Sequence, residues 1–514
     1  MWSLIDQLVQ QGVTDFFLAS GSRSTPLVLA AAHHKKARIH RHFDERGLAF
    51  YALGAALAKE APVAIIATSG TAIGNLLPAV MEAHHASAPL ILLTADRPAE
   101  LRETCANQTT DQVKMFQPFV RWQFDFEPSM PEMAIRSQAA HAVFRAMSGP
   151  VHLNCPLREP LYPFETGAEG RKIPLHLGTL SAQQQRKLPS RGVIFLGRLP
   201  KRSDLSAVLA LAHRLQWPVC ADILSNARLT PTEEQLRAFH WLEPSPLDCI
   251  LHFGERMTSK RLLNWKATEY IHVSPHTSWF DPAQQLTERF HSDIPAACAL
   301  FDAEPDSTWL PRWKELDREL TNRIAPLFVP GSESSFFHSL SNLPLRGWNF
   351  FLGTSMPVRE ADWFFHPPHG RAFFSNRGLS GIDGNIATAA GLAQTAPVLA
   401  LVGDLTALHD LNSLSLLKSS PHPIVLLISN NGGGGIFSHL AISRDPRFEE
   451  LFAFQHNFTF AGAAHMFGLP YERDIQTAIE KKHSCIIEWT NSRADNHRFH
   501  ALLNSLIRAS YTHG

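Results

Sequence analysis

An excess of charge of either sign is what this sequence most plainly lacks. Lys plus Arg and Asp plus Glu number 47 each in 514 residues, so the formal net charge is zero. A nucleic-acid partner calls for a basic excess or stripe, and neither is present. Cysteine is scarce too. Cys105, Cys155, Cys220, Cys249, Cys298 and Cys485 are widely spread and form no CxxC pair. That argues against a zinc ribbon or a disulfide framework and for a reduced, cytoplasmic compartment. No apolar run reaches the roughly 18 residues of a membrane span. The first residues read as an amphipathic helix and not as a signal peptide. Histidines are many, yet pairs such as His33-His34 and His84-His85 lack metal-ligand spacing. Two phosphate fingerprints are missing as well, GxxxxGK[ST] and a GxGxxG after a strand, which removes the central support for a nucleotide hydrolase or an NAD enzyme.

What is present is ordinary globular material, 45% hydrophobic and 18% charged, in a length that suggests about three domains. Short apolar runs alternate with helical stretches. Strands are expected over residues 13–19, 39–43, 62–68, 89–95 and 150–155, with helices over 25–33 and 44–59. The last third repeats the pattern, with strands expected over 348–353, 372–375, 397–402, 423–429 and 484–489. Continuous apolar runs of this kind suit parallel sheets covered on both faces. The echo reaches single residues: APVAIIATSGTA, starting at Ala61, resembles APVLALVGDLTA, starting at Ala396. Two similar α/β domains therefore flank a third, whose strands are expected over 192–197, 219–222, 249–254 and 270–274. Residues 165–190 read as a linker, and 302–347 as a second connection. The fold class is α/β with three domains, each a mostly parallel sheet flanked by helices: 1–165, 186–325 and 333–514.

The run from Gly403 to Gly433 carries the chemistry. Gly403-Asp404 stands at the carboxyl end of an apolar strand and opens a helix. Ligands in open α/β sheets bind outside the carboxyl ends of strands, and helix N-termini favour anions. An acid there suits a divalent cation that chelates phosphates. A second apolar strand ends at SNNGGGG. There Asn431 offers a side-chain oxygen, and Gly432 to Gly435 let the backbone approach an ion and phosphates closely.

A GD followed at this distance by NN is similar to the motif of the thiamine-diphosphate-dependent enzymes. The resemblance implies that Asp404, Asn431 and the Gly433 carbonyl bind Mg²⁺ or Mn²⁺, and that the three domains are, in order, pyrimidine-binding, central and diphosphate-binding. It also implies a glutamate against the aminopyrimidine at the start of a helix, which is Glu45 in HFDERG. Further motifs narrow the resemblance: GSRSTPL, TSGTA, LTADRP, ANQ, KRLLNW, SNRGLSGIDG and GDLTALHDLN resemble the SEPHCHC synthase family of menaquinone and phylloquinone biosynthesis. This family implies decarboxylation of 2-oxoglutarate and 1,4-addition of a succinyl carbanion equivalent to isochorismate. The alternative is another thiamine-diphosphate-dependent 2-oxo acid decarboxylase or carboligase.

Acidic substrates need cations, and arginine binds carboxylates bidentately. The matching positions are Ser22, Arg23, Arg97, Gln108, Arg261, Ser355, Arg359 and Arg377. The resemblance implies a cofactor-contacting set of Glu45, Ile382, Asp404, Leu405, Asn431, Gly433, Ile436, Phe437 and Leu440, with the apolar members packing the rings. The resemblance further implies a homodimer or homotetramer with active sites between chains. Gly432 stands where the family usually has a third Asn, Gly435 where Gln is common, Ser20 where Pro is typical and Thr354 where Asn is frequent.

Overall fold

The computed structural model describes residues 1–127, 129–174, 185–243 and 246–511. The linker expected over 165–190 lies partly outside the described residues. The chain divides into two compact units. The first comprises Met1–His176, Asn376–Leu427 and Phe460–Ile487; the second comprises Leu177–Ser375, Ile428–Thr459 and Glu488–Gly514.

The first sheet contains β1 (Asp15–Leu18), β2 (Arg38–Arg41), β3 (Val63–Ala67), β4 (Leu90–Asp96), β5 (Trp122–Asp125) and β6 (Val151–Pro156). Its order is β2-β1-β3-β4-β6-β5, and every neighbour pair is parallel. The helices of this stretch are α1 (Trp2–Gln10), α2 (Thr25–His33), α3 (Glu45–Lys59), α4 (Thr71–His85) and α5 (Glu132–Ala146). β3 and β4 are buried along their whole length, because sheet faces covered by helices leave no polar side to expose.

The second sheet contains β8 (Gly192–Leu196), β9 (Val219–Ala221), β10 (Leu247–Phe253), β11 (Ala267–Ser274) and β12 (Glu288–His291), in the order β12-β11-β10-β8-β9. All its pairs are parallel too. A small parallel pair joins β7 (Arg186–Lys187) and β13 (Phe301–Asp302). Helices α6 (Leu205–Leu215), α7 (Ile294–Cys298) and α8 (Trp309–Ile324) belong to this stretch.

The third sheet contains β14 (Asn349–Leu352), β15 (Ala372–Phe374), β16 (Val398–Gly403), β17 (Ile424–Asn430), β18 (Tyr471–Glu472) and β19 (Cys485–Thr490). Its order, β15-β14-β16-β17-β19-β18, repeats that of the first sheet strand for strand. The echo between Ala61 and Ala396 thus falls on β3 and β16, the third strand of each repeat. The accompanying helices are α9 (Glu333–Leu340), α10 (Met356–Phe364), α11 (Asn385–Leu392), α12 (Asp404–His409), α13 (Leu414–Ser419), α14 (Ala461–Phe467), α15 (Ile475–Lys481) and α16 (Arg493–Tyr511).

Within the first unit α3 packs directly on α11. A Cβ on Gly54 would stand 2.1 Å from the Thr388 carbonyl oxygen, and one on Gly391 would stand 2.2 Å from that of Tyr51. Two glycines on facing helices let the backbones touch, which larger residues forbid. The helical stretch expected over 44–59 is α3, with Asp44 outside it as the cap. The Asp44 carboxylate accepts from the Arg46 and Gly47 backbone N–H groups at 3.0 and 3.4 Å.

Candidate active site

Parallel strands present their carboxyl ends on one edge of a sheet, where loops and helix N-termini gather. In the first unit this edge carries a cationic cluster. Ser22 and Arg23 form a single 3₁₀ turn after β1. Arg23 is 9% exposed. Its Nη1 donates to the Leu157 carbonyl at 2.9 Å and its Nη2 to the Glu159 carboxylate at 3.1 Å. Its Nε is buried without a hydrogen-bond partner among the described residues. The Glu159 side chain is 73% exposed, so this ion pair is weak.

Arg97, at the end of β4, is also buried. Its backbone N–H donates to the Asp96 carboxylate at 2.7 Å, and its Nη1 donates to the Ser69 hydroxyl. Burial, and then repulsion from Arg23, push its pKa down. Two buried guanidiniums that repel each other favour an anion nearby. Gln108, in a left-handed conformation at φ 57°, donates from Nε2 to the Ser69 carbonyl at 3.4 Å. Gly70 caps α4 with no side-chain acceptor, leaving that helix's first N–H groups for other partners. The structure therefore gathers Ser22, Arg23, Arg97 and Gln108. It adds Ser69, which the sequence reading passed over although TSGTA ends a strand and opens a helix.

Glu45 is the first residue of α3 and is half-buried. The next residue, Arg46, donates from Nη2 to the His409 carbonyl at 2.8 Å. Beside it lies Asp410, 1% exposed, whose carboxylate accepts from the Ala387 backbone N–H at 2.9 Å and the Ser413 hydroxyl at 2.6 Å. Burial raises the Asp410 pKa to about 6.

Asp404 opens α12 directly behind β16 and is 3% exposed. Its Oδ1 accepts from the Leu405 backbone N–H at 2.7 Å, and Leu405 is half-buried. Arg377, half-buried, donates to the Ser380 hydroxyl at 3.0 Å. The Glu82 carboxylate holds this segment by accepting from the Gly378 and Leu379 backbone N–H groups, both at 2.6 Å. Ile382 follows, half-buried. A cavity of about 300 Å³ opens beside the segment, lined by Phe50, Leu77, Glu82, Asn376, Gly381 and Asp383 among others.

In the second unit, Asn431 follows β17 directly. The first three of the four glycines after it have a structural reason. Gly432 and Gly433 take φ 73° and 144°. A Cβ on Gly433 would stand 2.4 Å from the Ala453 carbonyl oxygen, and one on Gly434 would stand 2.9 Å from the Phe437 ring. The Gly434 N–H donates to Ala453 at 2.5 Å, and the His456 N–H donates to Gly432 at 3.1 Å. Ile436 and Phe437 lie on the 3₁₀ turn Gly435–His439, with Ile436 half-buried and Phe437 and Leu440 exposed at 36% and 52%. Ser355, at φ 71°, caps α10, and Arg359 donates back to its carbonyl. Burial, and then Arg256, lower the Arg359 pKa. Arg261 is exposed and donates to the Asn504 carboxamide oxygen at 2.7 Å, which ties it to α16.

The Asp404 carboxylate, the Asn431 carboxamide oxygen and the Gly433 carbonyl are hard oxygen donors, the class that Mg²⁺ and Mn²⁺ prefer. Among the described residues no group of three or more His, Cys, Asp or Glu is placed to hold a metal. No helix among them is long and apolar enough to cross a membrane.

Residues 2–115 match the N-terminal TPP binding domain of thiamine pyrophosphate enzymes, residues 178–344 the middle domain, and residues 356–488 the C-terminal TPP binding domain. The 2-succinyl-5-enolpyruvyl-6-hydroxy-3-cyclohexene-1-carboxylate synthase of Salinibacter ruber is 36% identical over 578 aligned residues, spanning 100% of this chain and 97% of the relative. The synthase of the same name from Bacillus velezensis is 35% identical, spanning 98% of this chain and 97% of the relative. That from Aeromonas salmonicida is 38% identical, spanning 92% and 89%.

Proposed function

The chain belongs to the 2-succinyl-5-enolpyruvyl-6-hydroxy-3-cyclohexene-1-carboxylate synthase family of thiamine pyrophosphate enzymes, and we propose that it decarboxylates 2-oxoglutarate and adds the resulting succinyl unit to isochorismate, releasing carbon dioxide. The observation that carries this reading is the buried pair Arg23 and Arg97 beside the open N-terminus of α4. Both substrates are polycarboxylates, and such a place is built for anions.

Asp404, Asn431 and the Gly433 carbonyl would hold the divalent cation, Mg²⁺ or Mn²⁺, whose charge would offset that of the cofactor's diphosphate. Their all-oxygen donor set supports that assignment. When bound, thiamine diphosphate supplies the electron sink that makes loss of carbon dioxide from a 2-oxo acid feasible. The protein's own part is orientation and charge. Glu45 holds and returns the proton at the cofactor's aminopyrimidine ring nitrogen. Leu405, Ile382, Ile436, Phe437 and Leu440 form the apolar wall that excludes water. Ser22, Arg23, Arg97, Gln108, Ser355, Arg359 and Arg377 bind the substrate carboxylates and hydroxyls. Arg261 completes this set, with its guanidinium donating to the Asn504 carboxamide oxygen.

The active assembly is a homodimer or a homotetramer, with each site shared between chains and located in the cytoplasm. Light scattering of the purified protein checks the assembly. The functional test is incubation of purified protein with thiamine diphosphate, Mg²⁺, 2-oxoglutarate and isochorismate. Consumption of isochorismate with release of carbon dioxide is the expected result, and no turnover by cofactor-loaded protein rejects it. Other 2-oxo acids, tested without isochorismate, distinguish a related carboligase.

A further inference from the structure

A buried polar seam runs along the C-terminal helix of the second unit. Asn496 and His500 stand one turn apart on α16, hence on one face, and are 5% and 7% exposed. Each reaches a buried carboxylate. Asn496 donates from Nδ2 to Glu333 Oε2 at 3.3 Å. The other oxygen of Glu333 accepts from the Ser429 hydroxyl at 2.9 Å. Ser429 also receives the Asn491 amide at 2.9 Å, and the Asn491 backbone N–H donates to the Asn430 carbonyl at 3.0 Å. This arm ends at the residues directly before Asn431.

The second arm starts at His500, whose Nε2 lies 2.6 Å from Glu360 Oε1. Glu360 Oε2 accepts from the Ser334 hydroxyl at 2.7 Å. The His500 ring also meets the edge of His439, with centroids 4.9 Å apart and planes at 86°. Glu360 is the neighbour of Arg359 on α10, and His439 closes the turn that carries Ile436 and Phe437. Glu333 and Glu360 are 1% and 0% exposed.

Burying two carboxylates is costly unless their oxygens are satisfied, and apolar residues of similar size usually hold elements together at least as well. What hydrogen bonds add is direction: they fix register, which apolar packing leaves free to slide. The seam ends beside three segments that carry candidate site residues: the stretch that follows β17, α10, and the turn of Ile436 and Phe437. Site geometry of this kind has to be held to roughly 0.5 Å by the residues behind it.

We propose that Asn496 and His500 are positioning residues with separable tasks. Asn496, through Glu333 and Ser429, sets the Asn430–Gly433 segment for the cation. His500, through Glu360 and His439, sets Arg359 and the Ile436–Phe437 wall for substrate. The inference rests on the functional reading above for its substrate arm, whereas its cofactor arm needs only binding.

The test compares wild type, Asn496→Ala, His500→Ala and His500→Gln. Calorimetric titration measures thiamine diphosphate affinity with Mg²⁺. Initial rates at saturating cofactor give KM for 2-oxoglutarate, and thermal midpoints report folding. Asn496→Ala is expected to weaken cofactor binding on the order of tenfold while KM stays within about twofold. His500→Ala is expected to raise KM on the order of tenfold with cofactor affinity within about twofold. His500→Gln, whose amide still donates to Glu360, recovers most of that loss. If Asn496→Ala fails to fold, Ser429→Ala opens the same arm by removing one hydroxyl.

Folded variants with both parameters unchanged overturn the proposal. So do variants in which cofactor affinity falls and KM rises together, in step with a lowered thermal midpoint. If the wild-type protein binds cofactor but does not turn over, the functional reading fails. The cofactor arm still decides the inference in that case: a wild-type affinity in Asn496→Ala rejects it, and a tenfold loss supports it.

Discussion

The Arg97 guanidinium donates a hydrogen bond to the Ser69 hydroxyl, joining the end of β4 to the turn that opens α4. That bond aims a cation which burial and Arg23 already disfavour. Arg97→Lys keeps the charge but loses the fork, so the ammonium cannot serve Ser69 and a bidentate carboxylate together. A charge-assisted hydrogen bond is worth about 1.5–3 kcal/mol, roughly tenfold to a hundredfold in affinity. KM for 2-oxoglutarate or isochorismate is expected to rise by that factor, with the thermal midpoint nearly unchanged. Ser69→Ala should give a smaller rise, because the charge stays and only its aim is lost. Initial rates at varied substrate decide the matter, and unchanged KM values in both variants reject the anion site.

Glu45→Gln separates binding from turnover. α3 keeps its cap, since Asp44 and not Glu45 accepts the first N–H groups. Fold and cofactor affinity are therefore expected to persist, while kcat drops by orders of magnitude because a carboxamide cannot hold and return the proton. Calorimetry alongside single-turnover rates reads both. A near-normal rate removes Glu45 from its role.

The interior strands were legible because their apolar runs are continuous, as in β3 and β4, and the repeat was legible because β3 and β16 share residues. The strands β5, β12 and β18 were not. Each is the edge of its sheet and mixes polar with apolar residues, so no run announces it. Much of the candidate site could be read for a similar reason, since Asp404, Asn431, Arg23 and Arg97 follow strands that the runs mark. Ser69 was legible on the same ground, as the end of a strand that opens a helix, whereas the seam on α16 was not, because a buried polar residue there is recognised by partners far off in the chain. Glu333 and Asn496 are 163 positions apart. Gly432 and Gly433 belong to the same class: what they fit is the backbone at His456 and Ala453.

Gly433→Ala tests that fit. The φ of 144° and a Cβ 2.4 Å from the Ala453 carbonyl make alanine unable to enter without moving backbone. Strain of this sort costs on the order of 1–3 kcal/mol, and it falls on the segment assigned to the cation. Mg²⁺-dependent cofactor binding is expected to weaken at least tenfold, more than thermal stability suffers. Gly462→Ala, inside α14 with nothing within 4 Å of the new carbon, is the control and should match wild type in binding. Equal binding by both variants contradicts the assignment of Gly433.

Asp410→Asn gives a prediction with a definite pH sign. Burial lifts the Asp410 pKa from 3.8 to about 6, so the folded state holds its proton more tightly than the unfolded chain. The stability this provides is complete below about pH 4 and is lost as pH rises through about 6. At about 1.4 kcal/mol per unit the lost contribution is on the order of 3 kcal/mol. Asparagine keeps an acceptor for the Ala387 N–H and can donate to Ser413, but it has no charge to desolvate. The stability difference, variant minus wild type, is therefore expected to grow between pH 4 and 6 and to be flat above. Thermal midpoints of both proteins across pH 4 to 8 measure it. A difference that stays constant through the window shows that Asp410 titrates as an ordinary carboxylate and that its bonds to Ala387 and Ser413 already offset the burial.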